Sequence, residues 1–127
     1  MIRRAAIVVA RHPYAARYAS IVHHGRGLEF PGGGLERNES YAEAAWREFA
    51  EETGLIAHAL HEIGALESAH GARVRVFVAT YQGRVARLRS SDEGRARWST
   101  QRELLSPGAS FPYENAQVFR MYRAAGY

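Results

Sequence analysis

Four charged residues stand close together near the middle of the chain, in the stretch Arg47-Glu48-Phe49-Ala50-Glu51-Glu52. If this stretch is helical, Glu48, Glu51 and Glu52 are spaced by three and four positions and share one face. Carboxylates on one face repel one another, and a divalent cation with a preference for oxygen ligands reverses that repulsion. Arg47 lies four residues before Glu51 and is placed to hold a carboxylate in position. The alternative is an ordinary solvated helix face with Glu–Arg pairs.

The charge of the chain is unevenly distributed. Its 17 basic residues are all arginine and oppose 13 acids. Residues 33–55 hold six acids and two arginines, a balance of −4, which leaves fifteen arginines and seven acids, or +8, elsewhere. This asymmetry fits a polyanionic substrate that a cation bridges to carboxylates. Because the arginines are scattered and not interleaved with aromatic residues, we expect no nucleic-acid partner.

The composition excludes several classes of chemistry. The absence of lysine excludes a lysine-containing phosphate loop and Schiff-base catalysis, and the absence of cysteine excludes disulfides, thiolate metal sites and a cysteine nucleophile. No apolar stretch approaches 18 residues, so we expect no membrane partner and a cytoplasmic protein. A length of 127 residues predicts one domain, residues 1–127.

Hydrophobic patterning predicts a mixed α/β (α+β) domain. The predicted strands are 3–10, 18–24, 27–30, 59–69, 73–83 and a tip ending at 97–100, with a glycine run at 31–34 that stops regular structure. Helices are predicted from about 40 to 53, where Ser40 and Glu43 form a capping box and Gly54 ends the helix, and over 114–126. The first helix has an apolar face: Ala42, Ala45, Trp46 and Phe49. In strand 73–83 the side chains alternate, with Val74, Val76 and Val78 on one side and Phe77 and Ala79 on the other.

The spacing around the glutamates matches a known motif in full. Gly33 is followed by five residues and Glu39, then by seven residues and Arg47-Glu48-Phe49-Ala50-Glu51-Glu52-Thr53-Gly54-Leu55. This is the pattern G-x5-E-x7-R-E-U-x-E-E-x-G-U, where U is a bulky apolar residue. The sequence therefore resembles the Nudix hydrolases, whose characteristic motif is called the Nudix box. In that family a mixed sheet is sandwiched between helices and the box forms a loop–helix–loop.

The resemblance implies a site for divalent cations that hold a diphosphate. Its metal ligands would be Glu48, Glu51, Glu52 and the backbone carbonyl of Gly32, with Mg²⁺ as the cofactor and Mn²⁺ as a substitute. Glu39 and Arg47 would support these carboxylates during catalysis. The implied reaction is the attack of a metal-activated water on a nucleoside diphosphate linked to a further group.

The general base is assigned to one of two glutamates, since family members take it from different places. The stretch "SSDEGRARW" offers Glu93, as base or as an auxiliary metal ligand, and it resembles a loop glutamate of MutT-type nucleoside triphosphatases. Glu52 is the alternative base. A solvated loop acid is the alternative role for Glu93.

Residues outside the box carry the substrate prediction. The stretches "EFPGG" and "FPYEN" resemble the MutT-type subgroup and favour hydrolysis of a nucleoside triphosphate to the monophosphate and pyrophosphate. The predicted substrate contacts are Asn115, which would read a purine, with Gly33, Arg26 and Phe77. Asn115 as the N-cap of the last helix is the alternative. The other substrates considered are dinucleoside polyphosphates and nucleotide sugars, and a nucleotide sensor without activity is a further alternative. A homodimer is expected from the family.

Overall fold

The computed structural model describes residues 3–82, 88–89 and 91–127. The last residue of the strand predicted over 73–83 lies outside this range. So do residues 84–87 and 90 of the charged stretch that follows it. The strands of the described part are β1 Arg4–Val9, β2 Tyr18–His23, β3 Leu28–Glu29, β4 Gly32–Gly34, β5 Ala57–Glu67, β6 Arg73–Tyr81 and β7 Gly94–Ser99. The helices are α1 Tyr41–Thr53, α2 Gln101–Leu104 and α3 Pro112–Ala124.

The larger sheet has the strand order β4-β1-β6-β5 and is mixed. Strand β1 pairs in parallel with β6 and antiparallel with β4, and β5 pairs antiparallel with β6. A second, antiparallel sheet has the order β3-β2-β7. The glycine strand β4 therefore lies at one edge of the larger sheet, beside β1.

Helices cover both faces of the larger sheet, as predicted. On one face α1 contributes Ala44, Ala45 and Phe49 to a core that includes Phe77 and Ala79 of β6. On the other face α3 contributes its own apolar residues, Val118, Phe119 and Tyr122, to a core with Val74, Val76 and Val78. The alternation predicted for β6 is confirmed, because its valines lie in one core and Phe77 and Ala79 lie in the other. Both faces of this central strand are therefore buried.

Both ends of α1 follow their local sequence signals. The Ser40 hydroxyl accepts from Glu43 N–H and the Glu43 carboxylate accepts from Ser40 N–H, so the predicted capping box is present. Gly54 ends the helix with a φ of 75°, a left-handed conformation that suits glycine. The predicted apolar face was wrong at Ala42 and at Trp46, because both are exposed, Trp46 by 46%. The buried face of α1 includes Ala44, Glu48 and Glu52 instead.

Three further predictions of secondary structure need correction. The glycine run forms the strand β4 and does not stop regular structure, because it pairs with β1 in register from Gly32 to Gly34. Helix α3 begins at Pro112, two residues before the predicted start, since proline at the first helical position has a suitable φ. The short helix α2 was not predicted. None of the helices in the described part of the chain is long and apolar enough to cross a membrane.

Candidate active site

Two carboxylates of α1 point toward the glycine strand. Glu48 and Glu52 lie one helical turn apart and are only 8% and 4% exposed. The N–H of Gly32 donates a 2.7 Å hydrogen bond to Oε1 of Glu52. A Cβ at Gly32 would stand 2.2 Å from the carbonyl oxygen of Ala6, and one at Gly33 would stand 2.7 Å from Oε1 of Glu48. The missing side chains therefore let β4 pass closely between β1 and the carboxylates.

A third carboxylate reaches the same place from the loop before β7. Carboxylate oxygens of Glu48, Glu52 and Glu93 all lie within 4.8 Å of one another. The loop is held by backbone bonds, since Ser91 pairs with Gly94 and the carbonyl of Glu93 accepts from the N–H of His24 at 3.1 Å. We call Glu48, Glu52 and Glu93 the carboxylate cradle.

The electrostatics of the cradle favour a cation. Burial, together with the nearby Glu48 and Glu93 carboxylates, raises the pKa of Glu52 to about 9, against the lowering effect of the Gly32 hydrogen bond. Burial also raises the pKa of Glu48, although Arg47 lowers it. Without a cation, the Glu48 and Glu52 carboxylates retain protons at pH values above the usual range for glutamate. Three close carboxylates form an all-oxygen donor set, which fits a hard divalent cation such as Mg²⁺.

A second group of charges, beside the cradle, is centred on Arg47. Its Nε and Nη2 donate to both oxygens of Glu39, at 2.8 and 2.9 Å. Its Nη2 also donates to the carbonyl of Gly34 at 3.1 Å, and Nη1 donates to Oε1 of Glu48 at 2.8 Å. The hydrogen bonds from Arg47 hold the pKa of Glu39 at about 2, and Glu39 in turn raises the pKa of Arg47. We call Arg47 and Glu39 the arginine clamp, and it fixes the position of the Glu48 carboxylate.

Glu51 takes a different position from its two neighbours in the motif. Its side chain is 59% exposed, and one oxygen lies 3.4 Å from Nη1 of Arg47. The helix explains the difference: at about 100° per residue, Glu48 and Glu52 are separated by about 40° and Glu51 points about 100° away from Glu52. The structure therefore brings Glu93, and not Glu51, to Glu48 and Glu52, while the role of Glu51 as a ligand stays a prediction.

A cleft of about 360 Å³ opens on the other side of the glycine strand. Gly32 and Gly33 line it, so the cleft and the cradle share β4 as a common wall. Both apolar and polar residues line it. The apolar residues include Ala5, Ile7, Leu66 and Val74, and the polar residues are Arg3, Arg26, Glu29, Ser68, His70, Glu114 and Asn115.

Arg26 and Asn115, two of the four predicted substrate residues, line this cleft. Arg26 donates to both carboxylate oxygens of Glu29, at 2.9 and 3.0 Å, and its guanidinium lies 5.6 Å from the ring centre of Phe111. Asn115 is 2% exposed, and its Nδ2 donates to the carbonyl of Leu104 at 2.8 Å. The alternative role of Asn115 as an N-cap was wrong, because the N-cap of α3 is Phe111.

The other two predicted substrate residues differ from one another. Gly33 lines the cleft through its backbone. Phe77 is 4% exposed and lies in the core under α1, and the cleft does not include it. Sequence reasoning missed Glu29, Phe111 and Glu114. The last two belong to "FPYEN", the stretch that had been singled out for Asn115, so the signal was present in the sequence.

Comparison with known proteins identifies the family. Residues 2–120 match the model of the NUDIX domain family, so the chain belongs to this family. It is a hydrolase that acts on the pyrophosphate bonds of nucleotide derivatives. Comparison with curated proteins gave no match.

Solved structures share the fold across nearly the whole chain. A nudix hydrolase family member from Chromobacterium violaceum has a TM-score of 0.78 at 20% identity, covering 100% of this chain and 81% of that one. A NUDIX hydrolase from Nitrosomonas europaea has a TM-score of 0.74 at 24% identity, covering 98% and 90%. A MutT NUDIX hydrolase from Burkholderia pseudomallei has a TM-score of 0.73 at 18% identity, covering 95% and 98%. These likenesses support the mixed, helix-covered architecture.

Proposed function

We propose that the chain is a Mg²⁺-dependent hydrolase that cleaves a nucleoside triphosphate to the monophosphate and pyrophosphate. The observation that carries this proposal is the position of the carboxylate cradle directly across β4 from a nucleotide-sized cleft. A nucleoside bound in the cleft would extend its phosphates over the side-chain-free surface of Gly32 and Gly33 toward Glu48, Glu52 and Glu93. The similarity to a protein named MutT supports the choice of a triphosphate.

Each residue of the site has a proposed part in the reaction. A divalent cation, when bound, supplies charge neutralisation for the phosphates and a lower pKa for water. Glu48 and Glu52 would hold it, with Glu51 and the carbonyl of Gly32 as further proposed ligands. Arg47 orients Glu48 through its 2.8 Å bond, and Glu39 orients Arg47.

Glu93 is the proposed general base. It is the exposed member of the cradle, so water reaches it, and it accepts the proton as the water oxygen attacks phosphorus. The bond from that phosphorus to the bridging oxygen then breaks, and pyrophosphate leaves with the electron pair. Glu52 is the alternative base. Since nucleoside triphosphates are intracellular, we place the enzyme in the cytoplasm, and the homodimer stays a prediction.

The test is a panel of nucleotides assayed with Mg²⁺, with Mn²⁺ and with chelator. The panel contains the nucleoside triphosphates, diadenosine polyphosphates, ADP-ribose and nucleotide sugars. We expect pyrophosphate release from a triphosphate that needs the cation and stops with chelator. Turnover of a dinucleotide or sugar nucleotide alone would agree with the cradle as the metal site but would overturn the triphosphate assignment. Nucleotide binding without any turnover would favour a sensor.

A matched pair of variants tests the base. Glu93→Gln should lower kcat about 100-fold, because a positioned general base contributes about 100- to 10,000-fold. Asp92→Asn is the control, since Asp92 is the neighbouring loop acid, is exposed, and lies outside the cradle. If Glu93→Gln turns over as fast as the control, the base assignment moves to Glu52.

A further inference from the structure

One buried acid of the cleft has no function in the hydrolysis described above. Glu114 lies in the first turn of α3, lines the cleft and is 8% exposed. Within residues 3–82, 88–89 and 91–127 its carboxylate has no hydrogen bond or ion pair. Both oxygens of the other acid that lines the cleft, Glu29, accept from Arg26. Since no buried side-chain oxygen of the described residues lacks a partner, the unpaired oxygens of Glu114 are accessible, and a ligand in the cleft can donate hydrogen bonds to them.

The neighbouring amide presents the same kind of atom. Because Nδ2 of Asn115 donates to the carbonyl of Leu104 at 2.8 Å, the orientation of the amide is determined. Its Oδ1 is left as an acceptor. Glu114 and Asn115 are consecutive, and both line the cleft. This end of the cleft therefore offers several acceptors, and a ligand must approach it with donors.

We propose that Glu114 is a specificity-determining residue that selects guanine-type bases in the cleft. This inference rests on the proposed nucleotide substrate. Guanine carries two adjacent donors, N1–H and the N2 amino group, which match the two oxygens of a carboxylate. Adenine and cytosine place a ring acceptor beside their amino group, and that acceptor would face the carboxylate. In uracil and thymine the single N–H is flanked by two carbonyl oxygens. Of the common bases, only guanine has adjacent donors on this edge.

The rest of the cleft suits a flat ring. The apolar side chains of Ala5, Ile7 and Val74 come from adjacent strands and form one surface of it. Arg26 is held over Phe111 by its bidentate pair with Glu29, at the same end of the cleft as α3. These groups hold any base with little selectivity, so the discrimination is assigned to Glu114.

The test compares GTP with ATP in the wild type and in Glu114→Gln. A good bidentate contact is worth between about 5-fold and about 150-fold in discrimination, so kcat/KM for GTP should exceed that for ATP by this factor. Glutamine has nearly the same shape but carries one donor and one acceptor, which match the amino group and ring nitrogen of adenine. Glu114→Gln should therefore bring the GTP/ATP ratio close to one or below it, mainly through KM.

Two further measurements separate this inference from the proposed function. Glu62→Gln is the matched control, because Glu62 is an exposed acid of β5 paired with Arg75 at 3.5 Å, and its GTP/ATP ratio should equal that of the wild type. Binding of GMP and AMP without metal reads the base contact without any hydrolysis.

Each outcome then has one meaning. Tighter binding of GMP that is lost in Glu114→Gln supports the inference, even if no triphosphate is cleaved and the proposed function fails. Equal turnover of GTP and ATP by the wild type, or a ratio that Glu114→Gln leaves unchanged, overturns the inference and leaves the proposed function intact.

Discussion

The carboxylate cradle and the arginine clamp both contain glutamates and lie side by side, yet the pKa of a glutamate is shifted in opposite directions in the two regions. In the clamp, hydrogen bonds from Arg47 lower the pKa of Glu39 to about 2. In the cradle, burial and neighbouring carboxylates raise the pKa of Glu52 to about 9. Glu48 connects the two, because it is a member of the cradle and one of its oxygens accepts a hydrogen bond from Arg47 of the clamp.

The difference separates a carboxylate that is paired within the protein from the carboxylates that we propose bind a metal. In the clamp, both oxygens of Glu39 are bound by Arg47, so the charge of Glu39 is paired within the protein. In the cradle, Glu52 and Glu93 lie close to Glu48 without an ion pair of their own in the described part of the chain, at an electrostatic cost that a divalent ion would remove. Folding therefore places carboxylates that favour a divalent cation beside the cleft.

The largest expected effect comes from removing one charge of the cradle. Glu52→Gln should lower kcat/KM at least about 100-fold, because replacing even a group that only supports a metal ligand costs about 10- to 100-fold. Glu51→Gln should cost less than Glu52→Gln, because Glu51 is a proposed ligand that is 59% exposed and lies outside the carboxylate cradle. Steady-state assays with saturating Mg²⁺ measure both. Equal losses in the two variants would show that the cradle is not centred on Glu52.

The next effect comes from the clamp. Arg47→Lys keeps the positive charge but loses the planar fork that binds both oxygens of Glu39. We expect the Mg²⁺ concentration for half-maximal activity to rise about 10- to 100-fold, since Glu48 is no longer held in position. Arg75→Lys on the sheet surface is the control, where the pair with Glu62 is exposed. An unchanged Mg²⁺ requirement in Arg47→Lys would refute the positioning role.

The sequence predicted the parts of the site that depend on local structure. The helix of residues 41–53, its capping box and its terminal Gly54 follow from short-range signals, and the motif located Glu48 and Glu52. The strand β4 was missed because pairing with β1 depends on tertiary contacts that outweigh the low strand preference of glycine. The composition of the cradle also needed the structure, since helical spacing alone grouped Glu51 with its neighbours and left Glu93 as one of two options. Phe77 was placed near a substrate by residue type, and its burial depends on the whole core.

The smallest expected effect is on stability, and it has opposite signs in the two regions. The folded pKa of Glu52 lies above the ordinary value of 4.5, so the folded state binds the extra proton, and cation-free stability should fall as the pH rises from about 4.5 to about 9. The folded pKa of Glu39 lies below 4.5, so its contribution is present above about 4.5 and is lost as the pH falls toward 2.

Thermal unfolding with chelator across the pH range measures both limbs. Glu52→Gln should flatten the loss of stability between about pH 4.5 and 9, and Glu39→Gln should flatten the loss in acid. At pH 8, Mg²⁺ at about 100 times its dissociation constant should raise the Tm of the wild type by about 10 °C and that of Glu52→Gln by less. The same pH profile in Glu52→Gln and the wild type would mean that the three carboxylates do not destabilise the cation-free protein. The raised pKa of Glu52, and with it the contrast between cradle and clamp, would then be refuted. A flattened profile together with a smaller Mg²⁺ shift would tie the raised pKa and the cation to the same oxygen atoms.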